Sequence, residues 1–265
     1  MRATRVKVLF SKELLEYRRD PATLSSLMVL PIVFGVFFPG VFLIFMRSEQ
    51  AAIALGHVSF FMEQVVAVTN VPYENLVVAA SYLVLMKILI PLFLLIPVVV
   101  GATLAGSSFA GEKTEKTIEG ILFTPLSARE LVIGKIVASF FPSVLIAWIT
   151  AFIYSIVVGI LGYPLFGEWV FMDVSGFFMI VIMVPLVAFL AVAVVVEVSQ
   201  KAKTMKAAQS ISGLLVLPIL AFIAGQAAGV ILIGWSGILI MCAILLVVDV
   251  VFLIWTVRFN PVNLL

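Results

Sequence analysis

Long apolar runs alternate with short polar segments along the whole chain. The runs fall at 22–46, 82–108, 136–161, 173–197, 211–233 and 237–257. Each is about 20 residues or more, the length a helix needs to cross roughly 30 Å of hydrocarbon. They lack the two-residue alternation of a barrel strand, which selects helices. The pattern predicts an all-α integral membrane protein: six transmembrane helices in a single transmembrane domain over 1–265. Between them lie 47–81, 109–135, 162–172, 198–210 and a tight turn at Gly234, Trp235, Ser236 and Gly237. Residues 51–68 are apolar enough to raise a seventh span, but His57, Glu63 and Gln64 would be costly in lipid. A helix in or near the outer interface is the expectation there.

Local signals refine the pattern. Asp20 followed by Pro21 reads as an N-cap and a proline at the first helical position, so the first span starts there. Pro31, Pro39, Pro91, Pro97, Pro142, Pro185 and Pro218 fall inside spans. Each removes a backbone donor and invites a kink, or is simply tolerated as prolines in membrane helices are. Ala221, Gly225 and Gly229 recur every four residues, a ridge that lets helices approach closely. Over 4–19, Val6, Leu9, Phe10, Leu14 and Tyr17 recur at helical spacing, with Arg5, Lys12, Glu16 and Arg19 on another face. Such a helix is expected to lie on the inner membrane surface, its basic groups toward anionic lipid.

Composition agrees. The chain is 64% hydrophobic and 11% charged, with a mean hydropathy of +1.29; soluble domains are nearer half apolar and a quarter charged. Of the 16 Lys and Arg residues, all but Arg47 and Lys87 fall on one side of a six-helix arrangement. The basic side is cytosolic, so both termini are expected in the cytosol of a cell-membrane protein. Arg47 and Lys87 are expected to snorkel or to sit near helix ends. The first 20 residues carry Glu13, Glu16 and Asp20 among their basic groups, which argues against a cleaved signal. A net charge of +2 gives no reason to expect nucleic acid.

Candidate chemistry is sparse. The single cysteine, Cys242, forms no internal disulfide, and the single histidine, His57, lies in an outer segment. A buried histidine triad and a histidine or cysteine metal cluster are therefore excluded, and no catalytic set or metal site is expected. Asp249 is the one acidic residue well inside a span, with Glu197 at a cytosolic end. It either bonds a neighbouring helix or lines a path, and it is kept as a possible intramembrane polar site. Residues 106–114, Gly-Ser-Ser-Phe-Ala-Gly-Glu-Lys-Thr, nearly spell a phosphate-binding loop. Glu112 interrupts the pattern and no strand precedes it, so no nucleotide site is expected on the chain.

The segment 109–135 carries the most charge. Glu112, Glu115 and Glu119 form one helical stripe, and Ile118, Ile121 and Leu122 an adjacent apolar one. Thr124 and Pro125 break the helix, and Ser127 with Glu130 makes a capping-box spacing for the next. A short cytosolic helix with an apolar and an acidic stripe suits docking into a groove of another protein.

The run Phe109, Glu112, Glu115, Thr117, Glu119, Thr124, Pro125, Ser127, Glu130, Leu131, Gly134, Lys135 resembles the cytosolic-loop signature of the type-two ATP-binding-cassette exporter permeases. Lys12-Glu13-Leu14 through Arg18-Arg19-Asp20-Pro21 resembles that family's entry helix. Lys116 departs from the glycine common there. The resemblance implies two permease chains, most simply a homodimer, each seated on a separate cytosolic ATPase that binds ATP and magnesium. It implies that the permease itself is not an enzyme. Residues Glu112, Glu115, Thr117, Ile118, Glu119, Ile121, Leu122, Arg129 and Glu130 would contact the ATPase, with 109–124 as coupling helix. Lys12, Glu13, Arg18, Arg19 and Asp20 would belong to the interfacial helix. The cargo is not named; the apolar spans fit an amphipathic or lipid-like one, or simply a lipid-facing surface. The alternative is a secondary transporter driven by an ion gradient.

Overall fold

The computed structural model describes residues 3–48, 50, 53, 75–108, 128–201, 216–225 and 235–257. These residues are helical apart from short turns, with no strand among them. In chain order the helices are α1 (Ala3–Arg19), α2 (Thr23–Met46), α3 (Val77–Gly106), α4 (Ala128–Phe166), α5 (Val174–Ser199), α6 (Val216–Gly225) and α7 (Trp235–Val257). Among the described residues, α2, α3, α4, α5 and α7 are long and apolar enough to cross a membrane. The protein is therefore a multi-pass membrane protein. Of the sixth expected span, 211–233, only the shorter apolar helix α6 is described. The expectations for 51–68 (apart from Ile53), for 109–127 and for Gly229 lie outside the described residues.

Several helices run past their apolar runs. α3 is helical from Leu76, because Asn75 caps it: its side chain accepts from the backbone N–H of Val77 at 2.9 Å. α4 covers 39 residues, about 58 Å at 1.5 Å per residue, where 136–161 was the expected span. Hydropathy marks where a helix leaves lipid, whereas the backbone ladder continues into polar surroundings. The expected loop 162–172 therefore begins helical, and α4 ends at Gly167, whose φ of +75° suits glycine. The expected turn at 234–237 is already helical from Trp235. Asp20 takes the expected place between α1 and α2: its carbonyl accepts from Leu24 N–H at 3.0 Å.

Three prolines leave a common mark. Widened π-turns occupy Val33–Phe37, Val84–Leu89 and Met179–Met183, and Pro39, Pro91 and Pro185 follow each within two residues. A proline has no N–H to donate, and its ring crowds the carbonyl four residues back. A widened turn relieves that crowding and turns carbonyls away from the ladder. α4 meets all three turns. Tyr154 donates its hydroxyl to Leu85 O at 2.7 Å, and Trp148 Nε1 donates to Ile180 O at 3.0 Å. A Cβ on Gly35 would lie 3.3 Å from Thr150 Cγ2.

α4 thus sits at the centre, against α1, α2, α3 and α5, while α5 also touches α3 and α7. Lipid offers no hydrophobic drive between helices, so close packing of small residues carries much of the contact. Ala105, Ala138, Ala147 and Ala188 are fully buried there. Phe93 packs edge-on against Tyr154, with ring centroids 5.1 Å apart. α3 and α5 are the most enclosed spans; α2 and α7 present broad apolar faces outward.

Candidate functional site

The densest buried polar cluster among the described hydrogen bonds and ion pairs lies where α1 crosses the end of α3 and the start of α4. Glu13 and Lys135 are 1% and 0% exposed, with Lys135 Nζ 3.8 Å from Glu13 Oε1. That distance is long for a charge-assisted hydrogen bond. Ser108 supplies the tighter contacts. Its hydroxyl donates to Glu13 Oε2 at 2.8 Å, and its carbonyl accepts from Lys135 Nζ. Ser108 therefore stands between the two charges and satisfies both.

Tyr17, one turn along α1 from Glu13, completes the cluster. Its hydroxyl lies 3.3 Å from Leu104 O, 3.3 Å from Ser139 Oγ and 3.5 Å from Glu13 Oε2. Burial, reinforced by the Glu13 carboxylate, pushes its phenol well above the usual range, so it remains a neutral donor. Lys12, half-exposed, reaches Glu13 Oε1 at 3.3 Å and Glu16 Oε2 at 2.8 Å.

Local sequence explains the geometry. Leu9, Glu13 and Tyr17 recur every four residues and form the buried stripe of α1. Val8 and Leu15 point outward at 65% and 49% exposure. α1 comes close because Gly134 has no side chain: a Cβ there would lie 2.5 Å from Leu9 Cδ2. Ala102, Ala105, Val132, Ile136, Val192, Val195 and Val196 make an apolar layer joining α3, α4 and α5. Lys135 and Ser139 of α4 lie in the same turns as Val132 and Ile136 of that layer, and such an apolar neighbour strengthens every charge contact.

The expected interfacial-helix residues divide. Glu13 is inside this cluster, whereas Lys12, Arg18, Arg19 and Asp20 are exposed. Of the expected ATPase contacts, Glu112, Glu115, Thr117, Ile118, Glu119, Ile121 and Leu122 lie outside the described residues. Arg129 falls in the first turn of α4, and Glu130 beside it is buried within the chain at 5% exposure. Sequence reasoning did not single out Tyr17, Ser108, Lys135 or Ser139 as a site. The available signal was a pair of opposite charges, Glu13 and Lys135, on two segments flanking apolar runs. Ser108 and Lys135 stand on either side of 109–127, so the cluster ties α1 to both ends of that segment.

Three polar features lie elsewhere. Lys87 pairs with Asp173, which also caps α5 by accepting from Gly176 N–H at 2.9 Å. Arg47 donates to Leu161 O. The two basic residues outside the set expected to be cytosolic thus bond to protein groups. Asp249 is buried on α7 at 6% exposure, and neither carboxylate oxygen has a hydrogen-bond partner among the described residues.

The family described as ABC-2 family transporter protein matches residues 8–234. No curated protein and no solved structure matches the chain.

Proposed function

The chain belongs to the ABC-2 family of transporter proteins, and on that premise we propose that it is the permease of an ATP-driven exporter. Its partner is a separate cytosolic ATPase, which binds ATP and magnesium and seats on 109–135. A second copy of the chain completes the pathway. Both termini and 109–135 face the cytosol, as the distribution of Lys and Arg supports.

One observation carries the coupling: the buried contacts of Glu13 with Ser108 and Lys135. A push on 109–127 is delivered at its two ends, Ser108 and the first turns of α4. Both ends are tied to α1, so α1, the inner end of α3 and the inner end of α4 respond as one body. α4 then carries the displacement along its length to α2 and α5, which it contacts directly. α1 lies on the inner membrane surface as the pivot.

The test is co-purification of the full chain with its ATPase from membranes, followed by ATP turnover of the complex. Replacing Glu115 and Glu119 together by Lys should abolish association. Association and turnover unchanged by that charge reversal would overturn the proposal.

A further inference from the structure

We infer that α7 closes a binding site for an amphipathic cation, an alkyl chain carrying an ammonium group. The inference rests on the transport reading above and names a cargo class for it. The alkyl part has a place: a cavity of about 300 Å³ lies between α3, α5, α6 and α7. Leu94, Met183, Ala191, Phe222, Met241 and Leu245 are among its walls, side chains without a strong donor or acceptor. Met183 and Ala191 are eight residues apart on α5, so the cavity follows that helix for about 12 Å.

The charged part has a place as well. Ile238, Met241, Leu245 and Asp249 recur at three or four residues and share the inward face of α7. Met241 and Leu245 line the cavity, and Asp249 lies one turn beyond Leu245, about 6 Å along the helix. Leu246, Val247, Val250 and Val251 take the outward side. Asp249 is more than nine-tenths buried, and neither of its oxygens has a hydrogen-bond partner among the described residues. A buried carboxylate left unpaired is costly. Lys87 is bonded to Asp173, and Lys135 to Ser108 and Glu13. A neutral alkyl ligand would leave Asp249 unpaired and an anionic one would be repelled. An ammonium group satisfies it while its alkyl chain fills the cavity.

The test uses the full chain in phosphatidylcholine nanodiscs without any ATPase. Binding of dodecylammonium and of n-dodecanol, both below micellar concentrations, is measured by equilibrium dialysis against empty discs. Dodecylammonium should bind saturably and about tenfold or more tightly than dodecanol. Asp249→Asn, which is nearly isosteric and removes the buried charge, should erase that preference and leave dodecanol binding unchanged. Asp249→Glu should retain the preference. Ile244→Trp, at a cavity position 59% exposed, should weaken both ligands. Equal binding of the cation by the natural chain and Asp249→Asn, or no preference for it over dodecanol, overturns the inference. Because no ATPase is present, that failure leaves ATPase docking untouched. Failure of docking, conversely, leaves the binding result standing.

Discussion

Glu13 of α1 and Lys135 of α4 share a site closed to solvent, joined through the hydroxyl and carbonyl of Ser108. Removing one member of a buried pair strands the other charge, at a cost of about 3–5 kcal/mol. Glu13→Gln and Lys135→Met should each lower the melting temperature of the purified chain markedly. Replacing both by Met removes both charges and should recover much of the loss. The melting temperatures of the three variants check this; strictly additive losses would contradict it.

The same cluster separates folding from coupling. In the doubly substituted chain α1 is no longer tied to Ser108 by a charged group. ATPase association should persist, because 109–127 is unchanged, while transport per ATP hydrolysed should fall several-fold. The ratio of transport to hydrolysis is the measurement, and an unchanged ratio would remove the cluster from the coupling path.

Gly134 and Leu9 occupy space that one added methyl group would contest. Gly134→Val should push α1 off α4 and cost about 1–3 kcal/mol, as overpacking typically does. Leu9→Ala beside it should relieve the clash. Proteolysis at α1 offers a readout: faster cleavage in Gly134→Val, slowed again in the double variant.

Tyr154 meets a carbonyl that the widened turn before Pro91 presents. Tyr154→Phe keeps the ring against Phe93 and removes only the hydrogen bond. The expected loss is about 1–2 kcal/mol, read as a lower unfolding midpoint in a denaturing-detergent titration. Retention of the midpoint would show that the Leu85 carbonyl finds another donor.

Tyr17 makes the chain sensitive to alkali. Its folded phenol titrates above the ordinary value of 10.0 because burial and Glu13 disfavour the phenolate. Its contribution is therefore whole below about pH 10, where neither state ionises. It declines above that, as the unfolded chain loses its proton first, by up to about 1.4 kcal/mol per pH unit. Tyr17→Phe should be less stable at neutral pH but show a shallower loss between pH 10 and 11. Parallel pH profiles for the two chains would refute this.

The spans, the segregation of charge and the family motifs were legible in the sequence because each is a local pattern. A run of apolar residues is apolar wherever it packs, and Asp20-Pro21 starts a helix from its own backbone chemistry. The prolines were legible too, but only as breaks. That Pro39, Pro91 and Pro185 produce widened turns, and that Tyr154 and Trp148 of α4 meet two of them, depends on which helix lies opposite.

By itself, then, the sequence determined an all-helical membrane protein with a polar segment at 109–135 between two apolar spans. The tertiary structure decided what those charges do. Glu13 looked like one more polar group on an amphipathic helix, and Lys135 like one more cytosolic lysine. Only folding brings them within 3.8 Å. Their segments lie on different helices, and a charge pattern along one helix carries no record of its partner on another. Burial between α1, α3 and α4 then turns two ordinary surface charges into a joint, because away from water each must be satisfied by the other and by Ser108.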